Sequence, residues 1–215
     1  MDAHFMMMEE TVHLRNLHQP QPLLVVISGP SGAGKDAVVK ALKQTNYSFH
    51  FVVTTTDREP RPGEVHGVDY YFVSTQEFER MIAADELLEY STVYNQFKGI
   101  HKSQVRDALA SGKDVIMRLD VQGAEKVRKM CPDAVLIFLA PESEEAWLLR
   151  LHTRNTETDE AFQVRFETAK KELEDAKKFD YVVINAHNQL DDAAQTILSI
   201  IEAEHHRTTP RRIQL

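Results

Sequence analysis

The chain has 215 residues, 42% of them hydrophobic, and a formal net charge of −8 with histidine neutral. That length holds one sizeable domain, or a core with small inserted subdomains, and buries a core without covalent staples. The acidic balance argues against a nucleic-acid binder, a lone Cys131 excludes an intrachain disulfide, and no apolar run approaches the roughly 20 residues of a membrane span.

Residues 1–21 are acidic and lack a continuous apolar stretch, so they read as a tail rather than a secretory signal. With a single thiol, this points to a reducing compartment, and a cytoplasmic location is expected. Leu23 to Ile27 is a short apolar, β-branched run with the pattern of a buried strand. A Gly-rich turn covers Gly29 to Gly34, and Val38, Val39 and Leu42 then recur at helical spacing. Residues 50–54 and Tyr70 to Val73 read as strands, separated by a Pro- and Gly-bearing loop from Arg58 to Gly67. Ser74 and Glu77 have capping-box spacing, which predicts a helix that turns Phe78, Met81 and Ile82 inward. Leu87 to Val93 reads as a strand at the edge of a small subdomain.

Helices are expected over about 103–110, 122–130, 142–154, 160–178 and 191–204, and strands over 115–119, 134–139 and 181–184. This alternation implies an α/β fold, a parallel sheet with helices on both faces. Segments 50–100 and 150–170 break the alternation and are candidates for inserted subdomains. Cys131, before Pro132, reads as a packing thiol. Residues 205–215 read as a fraying tail.

Gly29-Pro30-Ser31-Gly32-Ala33-Gly34-Lys35 matches GxxxxGK between a strand and a helix. The glycines let backbone N–H groups converge, the helix N-terminus adds partial positive charge, and Lys35 reaches the β- and γ-phosphates of ATP. A Ser or Thr hydroxyl normally follows the lysine and binds Mg²⁺, and this chain has Asp36. A carboxylate is also a hard ligand, so Asp36 either keeps a metal role or simply starts the helix.

In Arg58-Glu-Pro-Arg61-Pro-Gly63-Glu64-Val-His-Gly67-Val-Asp69-Tyr70, two guanidiniums lie three residues apart beside a turn, with a phenol beyond. Arginine forks match phosphate oxygens, so Arg58, Arg61 and Tyr70 form a candidate phosphate site; a solvated loop is the alternative.

With GPSGxGK, this RxPRxGExxGxDYxF pattern resembles the guanylate kinase family over nearly the whole of residues 23–202. The resemblance implies a P-loop core within 22–204, a GMP-binding insert at about 54–101 and a helical lid at about 150–170. It implies ATP-dependent phosphorylation of GMP, and of dGMP, with Mg²⁺, for purine metabolism. It places Arg58, Arg61, Tyr70 and Glu64 at the GMP phosphate, and Thr54 and Glu89 at guanine. One carboxylate accepts from both guanine N1–H and the 2-amino group, a donor pair that adenine lacks.

The family's Tyr-Tyr-Gly-Thr/Ser segment is Phe97-Lys98-Gly99-Ile100 here. Lys98 keeps a point charge for phosphate, and Ile100 loses a hydroxyl. Asp57 replaces a Thr, and Arg118 replaces the first acid of DxDxQG, of which Asp120 remains either as a chemical group or as a helix N-cap. Arg150 and Arg154, at i, i+4, and the later Arg165 resemble the lid arginines that close on the transferring phosphoryl group. Asn185 resembles a residue near adenine. GPSGAGKD also resembles ribose 1,5-bisphosphate phosphokinases, and a non-catalytic guanylate-kinase-like interaction module is the third reading. Neither a nucleic-acid nor a membrane partner is expected.

Overall fold

A computed structural model describes residues 19–93, 96–153 and 159–215, and for residues 93, 152, 153 and 159–165 the backbone alone. In chain order the first half contains β1 (Leu24–Ser28), α1 (Lys35–Lys43), β2 (His50–Phe51), β3 (Thr55–Thr56), β4 (Tyr71–Phe72), α2 (Thr75–Ala83), β5 (Leu87–Val93) and β6 (Gln96–His101). The second half contains α3 (Lys102–Ala110), β7 (Val115–Arg118), α4 (Val121–Met130), β8 (Val135–Pro141), α5 (Glu144–Thr153), α6 (Asp159–Glu174), β9 (Tyr181–Asn185) and α7 (Leu190–His205).

A five-stranded sheet in the order β2-β7-β1-β8-β9 is parallel throughout. β1 lies at its centre and is buried on both faces, which is why its sequence is continuously apolar rather than alternating. Val25 and Ile27 meet Val38 and Leu42 of α1 and Ile197 and Ile201 of α7 on one face. Leu24 and Val26 meet Val105 of α3 and Ala124 and Val127 of α4 on the other. The sheet's carboxyl ends open toward the turn after Ser28, where open α/β sheets bind ligands.

A second, four-stranded sheet runs β4-β3-β6-β5. β3 is parallel to β4, and β6 is antiparallel to both β3 and β5. Its helix starts as the sequence dictates, Ser74 Oγ accepting from Glu77 N at 3.1 Å. Phe78 from that helix stacks on Phe97, ring centroids 5.0 Å apart. A Cβ on Gly99 would lie 2.8 Å from Glu89 O and 3.0 Å from the Phe78 ring, so only glycine lets β5, β6 and α2 close together there. Asp57 joins the pieces: it accepts from Phe97 N at 2.6 Å and from Thr75 Oγ1 at 2.9 Å.

Two expectations change. The strand expected over 50–54 ends at Phe51, because the Gln104 amide takes both backbone groups of Val53, N at 2.6 Å and O at 3.1 Å. The final residues do not fray. Arg211 grips the buried Glu204 through two 2.8 Å bonds, Tyr181 adds a third at 2.7 Å, and Ile213 and Leu215 pack against the second core cluster. The arginine holds the Glu204 carboxyl below its ordinary value. Arg211→Ala strands that carboxylate, so unfolding free energy is expected to fall by about 3 kcal/mol. A chemical-denaturation midpoint equal to the parent's would contradict this. Among the described residues no helix is long and apolar enough to cross a membrane.

Candidate active site

The turn after β1 is a cradle of backbone. At Gly29, φ is 142°, and a Cβ would lie 2.2 Å from Leu139 O; at Gly34, φ is 93°, and a Cβ would lie 2.3 Å from Asn185 Nδ2. No L side chain fits either place. Gly34 caps α1 without a side-chain hydrogen bond, leaving the helix's first amides to face a ligand. Lys35 Nζ donates to Gly29 O at 2.5 Å and Pro30 O at 3.0 Å, and Pro30 O also accepts from Ala33 N at 3.2 Å.

Two distant side chains brace the loop. Trp147 Nε1 donates to Ser31 O at 2.7 Å, with Leu151 beside it against Gly32. Asn185 Nδ2 donates to Ala33 O at 2.8 Å, so its amide is spent on the loop backbone.

A cavity of about 360 Å³ joins the cradle to the second sheet, lined by Lys35, Asp36, Thr54, Tyr70, Glu89, Lys98, Gly99, Arg118 and Asp120 among others. Glu89 is 7% exposed, and its Oε2 makes no hydrogen bond among the described residues. Burial pushes its carboxyl up to about 7; Lys126, with Nζ 3.9 Å from Oε2, pulls the other way, and Asp120 adds to the rise. Asp120 caps α4, its Oδ1 accepting from Gly123 N at 2.7 Å, and still faces the cavity.

Arg58 is held rigidly. Its guanidinium donates to Glu64 at 2.7 and 2.5 Å and lies 4.8 Å from the Tyr70 ring centroid. Arg58 holds the Glu64 carboxyl down at about 2, helped by Arg61 N, which donates to Glu64 Oε2 at 2.8 Å. Lys98 on β6 lies near both arginines; burial first, then their charges, pushes its ammonium below the usual lysine value. Arg58 and Lys98 therefore meet beside Tyr70, with the charge of Arg61 reaching Lys98. Ile100, 2% exposed, has become part of the core.

Arg150 on α5 has a buried Nη1 with no hydrogen-bond partner among the described residues. Arg154 lies outside the described residues, and so does the Arg165 side chain. Sequence reasoning missed four groups. Trp147 could have been found as the one tryptophan on a helix following a core strand. Lys126 beside Glu89, and Glu172, whose half-buried carboxyl is raised by burial and opposed by the Lys35 charge, had no local signal. The fourth is an ion pair between Arg118 and Asp36.

A strand–glycine turn–helix cradle at the carboxyl ends of a parallel sheet, facing a second pocket lined by cations, defines a P-loop phosphotransferase. Comparison narrows that class: a family model described as guanylate kinase matches residues 21–204. "Guanylate kinase 2, chloroplastic/mitochondrial" of Oryza sativa subsp. japonica is 48% identical over 197 residues, spanning 91% of this chain and 69% of the relative. The guanylate kinase of Clostridium tetani is 44% identical over 182 residues, spanning 85% of this chain and 86% of that one. A crystal structure of guanylate kinase from Anaplasma phagocytophilum superposes with a TM-score of 0.69 at 27% identity, covering 89% and 90% of the two chains. The chain belongs to the guanylate kinase family.

Proposed function

We propose that the protein transfers the γ-phosphoryl group of ATP to the phosphate of GMP, giving GDP and ADP for purine nucleotide metabolism, and accepts dGMP as well. The observation that carries this reading is the single cavity in which Lys35 of the cradle and the buried Glu89 carboxylate face one another. A guanine whose N1–H and 2-amino group reach Glu89 satisfies an acceptor that lacks a hydrogen bond among the described residues. Thr54 offers its hydroxyl to the base edge. Arg58, Arg61, Tyr70 and Lys98 then receive the GMP phosphate, with Gly99 keeping β6 close to the pocket floor and Glu64 holding Arg58 in place.

The donor occupies residues Gly29, Pro30, Ser31, Gly32, Ala33, Gly34, Lys35 and Asp36, with Asn185 holding that loop in shape. A GMP phosphate oxygen attacks the γ-phosphorus, its new P–O bond forms as the bond to the β–γ bridging oxygen breaks, and ADP leaves with that electron pair. The nucleophile is already an anion, so no general base is needed. Positive charge dominates such a transfer: Lys35 and Arg58 supply it from fixed positions, and Arg150, Arg154 and Arg165 from the lid segment. The Nη1 of Arg150, which has no hydrogen-bond partner among the described residues, supports its part in this.

ATP-using kinases of this class work with a divalent metal, and we assign Mg²⁺. Asp36 fits as a protein ligand, being a hard carboxylate directly after Lys35 on the cavity wall. Among the described residues no cluster of three or more His, Cys, Asp or Glu forms a metal cage; Mg²⁺ sites of this kind rest mainly on substrate phosphates and water. When bound, the cation supplies positive charge to the phosphate oxygens. A cytoplasmic location accords with a single, buried thiol.

The test is product identity: one GDP and one ADP per ATP consumed, resolved by anion-exchange chromatography. ADP formed without GDP would overturn transfer to GMP. Lys98→Met is expected to raise KM for GMP about tenfold with kcat little changed, the loss of one charge-assisted contact. An unchanged KM would remove Lys98 from the phosphate site.

A further inference from the structure

Asp36 and Arg118 stand 82 residues apart in the chain, and Arg118 Nη1 donates to Asp36 Oδ1. Each is a place where this chain departs from the pattern it resembles: an acid instead of the hydroxyl after the cradle lysine, and a cation instead of the first acid at the end of β7. The two departures have opposite sign and touch. The pair sits on the wall of the cavity between cradle and acceptor pocket, with side chains 39% exposed for Arg118 and 57% for Asp36. An ion pair this exposed adds little to folding stability. Its effect is on the potential a ligand meets.

A carboxylate directly after the cradle lysine repels an incoming polyphosphate unless a cation covers it. Arg118 is such a cation, fixed by a backbone in the central sheet. We propose that Arg118 is a counter-ion for Asp36 supplied by the protein itself, a positioning residue that keeps the cradle receptive to a nucleoside polyphosphate before a divalent cation binds. This rests on the reading of residues 29–36 as the ATP site. Two consequences follow. The penalty for losing Arg118 depends on metal, because a bound cation replaces the missing charge. Neutralising Asp36 removes the need for Arg118.

The experiment is calorimetric binding of ADP to the full chain, once with a chelator and once with excess Mg²⁺, for the parent, Arg118→Ala, Arg118→Gln, Asp36→Asn and the Asp36→Asn/Arg118→Ala double variant. Both Arg118 variants are expected to weaken ADP about tenfold or more in chelator and less than about threefold with Mg²⁺. The double variant is expected to bind within about threefold of the parent in chelator. Equal penalties in both conditions, no penalty in chelator, or no rescue by Asp36→Asn would each overturn the counter-ion assignment. Thermal unfolding without nucleotide should move by no more than about 2 °C, and a collapse there for Arg118→Ala leaves the less drastic Arg118→Gln, uncharged but still polar, to decide. Parent protein that fails to bind ADP in either condition would contradict the ATP-site reading instead.

Discussion

Glu89→Gln is expected to lower kcat/KM for GMP about a thousandfold while leaving the chain folded. The carboxylate is buried, its Oε2 lacks a hydrogen bond among the described residues, and Gly123 of α4 with its cap Asp120 closes the space around it. Guanine presents two adjacent donors. A glutamine turns one of its own donors toward them, so at least one buried N–H loses its acceptor, a loss that water cannot repair in a closed site. The same carboxyl carries a pH signature. Burial raises it to about 7, and only the ionised form accepts both donors. KM for GMP should therefore fall as pH rises through about 7, and Glu89→Gln should flatten that dependence. For folding the sign is reversed: a raised carboxyl binds more protons folded than unfolded. Its contribution to stability is thus present below the usual carboxylate range and lost as pH rises toward about 7. A parent enzyme with a pH-independent KM, or a Gln variant within tenfold of the parent, would remove Glu89 from base recognition.

Lys35→Ala is expected to cut kcat by about a thousandfold or more, with an unchanged unfolding midpoint. The lysine holds Gly29 O and Pro30 O, bonds that a phosphate oxygen can replace when ATP enters. The cradle itself does not depend on those bonds. Its shape is set by Trp147 on Ser31, Asn185 on Ala33 and the close approach of Leu139 to Gly29. Single-turnover rates separate the step the lysine serves from nucleotide affinity. A variant that turns over at the parental rate would sink the cradle assignment. A variant that loses folding along with activity would show that the lysine also maintains the loop.

What could be read from the sequence was what local spacing dictates. The run from Leu23 to Ile27 followed by GxxxxGK placed β1, the cradle and α1, because strand, turn and helix are consecutive there. Ser74 and Glu77 fixed the start of α2 through one local bond, and the Leu87 to Val93 strand appeared with its expected ends. Contacts between distant residues were not readable. β6 escaped notice because its middle, Lys98-Gly99, carries neither β-branching nor apolar alternation; it is a strand because Gly99 lets it pack against β5 and α2. The terminal segment looked like a frayed tail by composition, yet Arg211 has a buried carboxylate to hold, Glu204, which stands seven residues earlier in the last turn of α7. Within the site, the sequence presents Asp36, a metal ligand or a helix start, and Arg118, in place of an acid, as two separate departures. Their meaning came from their contact. Glu89 needed the family pattern to be noticed at all, since nothing in a lone strand carboxylate announces that the fold will bury it.

Acceptor choice is read from Mg²⁺- and ATP-dependent ADP production with GMP, dGMP, AMP, UMP, CMP and ribose 1,5-bisphosphate offered separately. Turnover confined to GMP and dGMP is the predicted result, because only guanine supplies the donor pair that the buried Glu89 accepts. Comparable turnover with AMP, a pyrimidine nucleotide or ribose 1,5-bisphosphate would contradict it, as would no turnover with any of the six.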